Sequence, residues 1–350
     1  MFKGSYLESD VNFLLKVIDI DFVEREAKEK LIKDKKIHYS EMISREYIPS
    51  QNYLDTFYTA LQLNKTKVAR DVLKLANYLK DKNKLTLVSL ARAGTPIGVL
   101  LKRTLKEVFD MEAPHYSISI IRDRGIDENA INYIRENEEG EFIFIDGWTG
   151  KGVINRELKK FIKEYNKKYS TDISDKLYVL ADIAGKADFA STNQDYLIPS
   201  AILNSTVTGL ISRSILNDEY VKKDDFHACK YYEEFRDSDL TLFYIDEVMS
   251  VIKNIKIDDY SLVNENKDLA NRVDNFLEEI KKEFNIENIN HIKPSIGETT
   301  RVLLRRTPYK ILVNDLNSED VKHLKLLSDE KNIDIEERKD LPYIAVGIIK

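Results

Sequence analysis

The residues of this chain whose types and spacing could do chemistry gather in FIFIDGWTGKG, residues 142–152. A strand-forming run ends on Asp146, and Gly147, Trp148, Thr149, Gly150, Lys151 and Gly152 lead from it into a helical pattern. A carboxylate at a strand end can accept hydrogen bonds from two ribose hydroxyls. The hydroxyl and amides of Thr149, Gly150, Lys151 and Gly152 can wrap a phosphate at the start of the following helix. A nucleoside-triphosphate loop is excluded, because it places four residues between its glycines and a Ser or Thr after its lysine. A dinucleotide fingerprint is excluded too, since G-x-G-x-x-G is absent. What remains suits a ribose 5-phosphate; the plain alternative is a glycine-rich strand–helix turn.

Two other loops carry related signals. In SLARAGTPIG (89–98), Arg92 offers a guanidinium fork for phosphate oxygens. Ala93 and Gly94 let the backbone approach a ligand, and Pro96 starts a helix where proline is tolerated. In IIRDRGID (120–127), Arg122, Asp123, Arg124 and Asp127 crowd around Gly125. The alternative for both is surface charge with weak mutual ion pairing.

The elements that must position these loops read as alternating short apolar strands and amphipathic helices from Leu85 to Ile183. The strands are 85–90, 115–121, 142–146 and 177–183, with helices at 96–108, 128–137 and 155–169. That alternation predicts an α/β fold with a doubly wound, mostly parallel sheet, whose ligands bind beyond the carboxyl ends of the strands. Residues 1–80 read as helical, with Val68, Val72, Leu73, Leu75 and Ala76 as a buried stripe. After 184 the pattern becomes polar and mostly helical, and 266–284 looks like a connector. A small α/β unit then closes the chain, which sets the domains at 1–285 and 286–350.

SLARAG followed by FIFIDGWTGKG resembles the pyrophosphate loop and the ribose-phosphate loop of type I phosphoribosyltransferases. The family signature has two adjacent acids and T-G-x-[ST]; here Gly147 follows Asp146 and Gly152 replaces the hydroxyl. The segment 181–215, GSYLESDVNFLL and IGETTRVLLRR…LPYIAVGII resemble a divergent bacterial branch of that superfamily. Its members carry a C-terminal pelota-like RNA-binding domain and resemble proteins encoded with tellurite-resistance and stress genes. The same branch is also labelled a cysteine protease, StiP.

The resemblance implies a phosphoribosyltransferase acting with phosphoribosyl pyrophosphate and Mg²⁺ on a base or nucleotide-like acceptor. Asp146 would anchor the ribose hydroxyls and Thr149 to Gly152 the 5-phosphate. Arg92, Ala93 and Gly94 would hold the leaving pyrophosphate, with Arg122 and Arg124 closing over it. No side-chain metal cage is assigned. The run around NQDYLIPSAILNSTVTGLISRS reads either as close helix packing or as an acceptor wall, with Asp182, Asp188, Asp195, Tyr196 and Asn204 as its candidates. A non-catalytic ribose-phosphate sensor that regulates RNA binding is the alternative that the missing second acid favours.

At the C-terminus, Lys293, Gly297, Thr299, Arg301, Arg305 and Arg306 form a basic turn and helix suited to RNA backbone contacts. The one cysteine, Cys229, follows His227 by two residues, a spacing that places both on one face only if the backbone is extended. A buried structural cysteine is the expectation, with a Cys229–His227 protease as the competing one. One cysteine also rules out an internal disulfide and a multi-cysteine zinc site. The net charge of -6 argues against a chain that coats nucleic acid as a whole. No signal peptide or apolar span is read, so a cytoplasmic protein without a membrane partner is expected, and a homodimer stays open.

Overall fold

The structure, a computed structural model, describes residues 1–24 and 37–349. Strands β1 (Asn12–Leu14) and β2 (Lys16–Val17) precede the long helix α1 (Gln51–Leu79). Then follow β3 (Leu85–Ala91), α2 (Gly94–Phe109), β4 (His115–Ile121), β5 (Gly125–Ile126) and α3 (Glu128–Asn137). Next come β6 (Glu141–Thr149), α4 (Val153–Tyr169), β7 (Leu177–Asp182) and β8 (Phe189–Thr192). Strand β9 (Ala228–Cys229), helix α5 (Thr241–Ile252), strand β10 (Val263–Asn264) and helix α6 (Lys267–Glu283) lead to the C-terminal unit. That unit comprises β11 (Ile292–Pro294), α7 (Ile296–Arg305), β12 (Lys310–Val313), α8 (Lys322–Glu330), β13 (Ile335–Glu337) and β14 (Ala345–Ile348).

The main sheet runs β1-β4-β3-β6-β7-β8-β10, parallel except for β10, with β5 folded back on β4. Successive residues of its strands feed opposite faces. Ile143, Ile145 and Leu180 pack with α1, α2 and α5, whereas Phe142, Phe144 and Val179 pack with α3 and α4. Burial on both faces explains why these strands read as continuous apolar runs. The chain order reverses between β3 and β6, so the crevice beyond their carboxyl ends is the sheet's switch point. The C-terminal sheet runs β11-β14-β12-β13.

Two expectations need correction. Residues 1–80 are not helical throughout: 12–14 and 16–17 are strands, and 37–50 is largely irregular with one short turn. The apolar residues Phe13 and Leu14 gain more from the edge of an existing sheet than from an isolated helix. The part of that expectation at 25–36 lies outside the described residues. The stripe along 193–215 is also not a helix. It holds two short turns, Pro199–Ala201 and Ser205–Val207, because Pro199 and a dense run of small hydroxyl residues favour local turns. The α1 stripe from Val68 to Ala76 is buried as read.

Candidate functional site

Beyond the carboxyl ends of β3, β4 and β6 lies a cavity of about 250 Å³. Asp146, Trp148 and the turn Thr149 to Gly152 line one side, with Ala93 and Arg122 beside them. The other side comes from the C-terminal unit, through Asn290, Lys293, Pro294, Glu298 and Arg301. Glu298 and Asn290 escape a reading of the sequence, since nothing local ties them to a loop more than 130 residues earlier. Glu298 matters because it brings a second carboxylate to a cavity whose own loop supplies one.

Local backbone chemistry builds this wall. Gly152 begins α4 with φ 71, a left-handed conformation that disfavours any side chain. A Cβ there would also lie 2.5 Å from Lys186 Cδ. The family's hydroxyl residue is therefore excluded at this position by the turn itself. At Gly94 a Cβ would collide with the carbonyl of Ile145, so only glycine lets the start of α2 press against β6. Thr149 donates its hydroxyl hydrogen bond to Asp182, which also accepts from the amide of Ala187 at 2.9 Å. The C-terminal unit grips the same turn. Tyr343 donates to the Gly150 carbonyl at 2.9 Å, and Lys151 Nζ donates to the carbonyls of Ile292 (3.0 Å) and Ile289 (3.2 Å).

The cavity's charges favour an anion: Arg122, Lys151, Lys293 and Arg301 face Asp146 and Glu298. Burial pushes the Asp146 carboxyl up to about 7, against the Gly147 amide and Arg301. Burial also pushes the Lys151 ammonium down to about 8, with Lys293 adding repulsion. Burial acts to raise Glu298, but Arg301 and Lys293 outweigh it and hold that carboxyl low. Among the described residues no cluster of three or more His, Cys, Asp or Glu is placed to hold a metal.

Other sequence candidates are placed elsewhere. Arg92 does not turn toward Asp146; it pairs with Glu46 at 2.8 Å and donates to the Ile211 carbonyl and to Asn204. Arg124 pairs with Glu41, and Asp127 caps α3 by accepting from Asn129 at 3.0 Å. The five acceptor candidates do not form one wall. Asp182 is fully buried on Thr149, and Asp188 pairs with Lys159 while accepting from Leu177 at the amino end of β7. Asp195 accepts from the amides of Ile344 and Ile296, and Tyr196 donates to Asp71 at 2.6 Å. Asn204 sits with Arg92 and Arg305 in a different cavity.

The basic residues of the C-terminal unit are also divided. Lys293 and Arg301 face the first cavity and Arg305 the second, while Arg306 is exposed. Gly297 packs toward Ala201, and Thr299 is buried with its hydroxyl on the Lys293 carbonyl. One helical turn separates the two arginines, so docking of α7 on the main body assigns each to its own cavity.

Cys229 is fully buried in β9, and burial pushes its thiol up to about 12. His227 Nδ1 shares a 2.8 Å hydrogen bond with Ser119 Oγ rather than with the thiol. The extended backbone that would align the two residues is present, but their side chains have other surroundings. A raised thiol pKa and a closed core are the reverse of what a nucleophilic cysteine needs.

Comparison with known proteins agrees with this two-part build. Residues 4–249 match the family described as "Tellurite-like stress resistance cysteine protease StiP". Residues 271–350 match the one described as "PELOTA RNA binding domain". A protein of Acinetobacter baylyi named "Cysteine protease StiP" is 35% identical over 364 aligned positions, spanning 100% of this chain and 94% of its own length. No helix among the described residues is long and apolar enough to cross a membrane.

Proposed function

The chain belongs to the StiP family, and from that premise we propose that its strand-end cavity binds a phosphoribosyl compound and acts on it as a phosphoribosyltransferase-like enzyme. One observation carries the reading: Asp146 and the Thr149–Gly152 turn line one cavity at the switch point of a parallel sheet, opposite Lys293 and Arg301. The 5-phosphate would rest on the turn's amides at the start of α4. In its ionised form Asp146 would accept from the ribose hydroxyls. Arg122, Lys293 and Arg301 would stabilise the charge that develops on departing pyrophosphate as the ribosyl carbon–oxygen bond breaks and a bond to the acceptor forms. Arg92 and Arg124, each paired elsewhere, are not given that task. Mg²⁺ would arrive with the pyrophosphate and shield its charge; the cavity's own carboxylates are Asp146 and Glu298.

The C-terminal unit completes the cavity, so an RNA held by that unit would lie beside the reacting ribose as acceptor, activator or tether. Calorimetry with phosphoribosyl pyrophosphate and Mg²⁺ tests the reading, followed by pyrophosphate release across bases and RNAs. Saturable binding that Asp146→Ala removes is the expected result. No binding, or equal binding by the variant, would sink both the enzyme and the sensor. Binding without release would leave the sensor.

The second reading is the thiol protease, which the printed names of the family and of the relative favour. In this chain it rests on Cys229, the only cysteine. Peptidase activity that Cys229→Ser abolishes would establish it over the first.

A further inference from the structure

We propose that a second cavity, adjoining the first across the Arg92–Ala93 turn, binds a phosphate-type dianion. The cavity has a volume of about 380 Å³ and lies between residues 44–53, the 203–206 segment and α7. Its lining carries Arg45, Arg92, Arg213 and Arg305, against Glu46 as the one carboxylate among the described lining residues. Such an excess of partly buried positive charge is costly unless an anion relieves it.

The guanidinium groups are held in place by neutral acceptors. Arg92 donates to the Ile211 carbonyl at 2.8 Å, and Arg213 donates to the carbonyls of Tyr39 and Met42. Asn204 Oδ1 accepts from both Arg92 and Arg305, drawing two like charges onto one uncharged atom. That arrangement orients the forks without neutralising them, which is how a preorganised oxyanion site differs from an ion-pair network.

Glu46 marks where the oxyanion would sit. Its carboxylate lies 2.8 Å from Arg92 and accepts from the backbone amide of Ser205 at 3.3 Å. Thr206, also in the lining, has a buried hydroxyl without a partner among the described residues. Glu46 therefore acts as an internal stand-in that a bound dianion displaces. The site is distinct from the one that Asp146 serves, because Arg92 and Arg305 line this cavity while Ala93 and Arg301 line the other.

The test is thermal unfolding of the full chain titrated with sodium phosphate or adenosine 5′-monophosphate at constant ionic strength. A saturable rise is expected, with Arg305→Gln weakening binding about tenfold through loss of a charge-assisted bond. Glu46→Gln should tighten it several-fold, a gain that misfolding cannot mimic. Asp146→Ala should leave it unchanged, which separates this site from the function proposed above. A response to both probes identifies free phosphate as a sufficient occupant; a response to the nucleotide alone identifies a phosphomonoester. The proposal is overturned if neither probe shifts wild type or Glu46→Gln, if Arg305→Gln binds like wild type, or if Asp146→Ala abolishes the shift.

Discussion

Asp195 accepts the amide hydrogen of Ile296, the first residue of α7, at 3.0 Å across a sequence separation of 101. The same carboxylate accepts from Ile344 at 2.9 Å. A negative group at a helix start satisfies an orphan donor and complements the helix dipole. Because α7 carries Arg301 and Arg305, this one carboxylate helps to set the geometry of both cavities.

Replacing Asp195 by Ala leaves two buried amides without their acceptor and should cost about 2 kcal/mol. Urea unfolding would measure it. Asp195→Asn retains one acceptor oxygen and should fall between. A variant as stable as wild type would remove Asp195 from any docking role.

Asp146 gives a pH dependence of stability with a definite sign. Its carboxyl sits near 3.8 when unperturbed and at about 7 in the folded chain, so the folded state binds the extra proton between those values. Its contribution to stability is fully present below the lower value and declines as pH rises through the window. Asp146→Asn should flatten that decline in urea unfolding measured from pH 4.5 to 8. Parallel curves would contradict the burial argument. Ligand binding should run the opposite way, weakening as pH falls below about 7 and the carboxylate that accepts from ribose is lost.

Trp148 is the only tryptophan and lines the first cavity, so its fluorescence reports that cavity directly. Phosphoribosyl pyrophosphate should change the emission, and Asp146→Ala should abolish the change. If the ring stacks on a base or ribose, Trp148→Ala should weaken binding about tenfold or more, within the range for aromatic stacking, while Trp148→Phe largely retains it. Equal affinity for the Ala variant would reduce Trp148 to a gap filler.

Restoring the family hydroxyl with Gly152→Ser should harm this chain. The positive φ and the approach to Lys186 together predict a loss of about 1–3 kcal/mol. Thermal unfolding would register it, and activity should fall with it. A stabilised or more active variant would mean that the turn readily changes conformation.

Cys229 should resist alkylation in the native chain at pH 8 and react after denaturation, as its closed surroundings and raised pKa require. Mass spectrometry before and after urea would show this. Rapid native labelling would return weight to the thiol protease.

The sequence by itself determined the parts that depend on near neighbours. The strand–helix alternation from Leu85 onward specified the mostly parallel sheet. Asp146, Thr149 and the glycines could be placed at a strand end because strand, turn and helix start are all local. The same alternation misled at 193–215, where Pro199 and hydroxyl side chains favour turns over the helix that the apolar spacing suggests. Tertiary structure decided which distant charges share a cavity. Arg92 lies in the predicted loop, yet Glu46 and Asn204 draw its guanidinium into the second cavity. Glu298 and Arg301 reach Asp146 only because Asp195, Tyr343 and Lys151 hold the C-terminal unit against the main sheet. Those contacts join segments more than a hundred residues apart, and residue type and local spacing carry no record of such pairings.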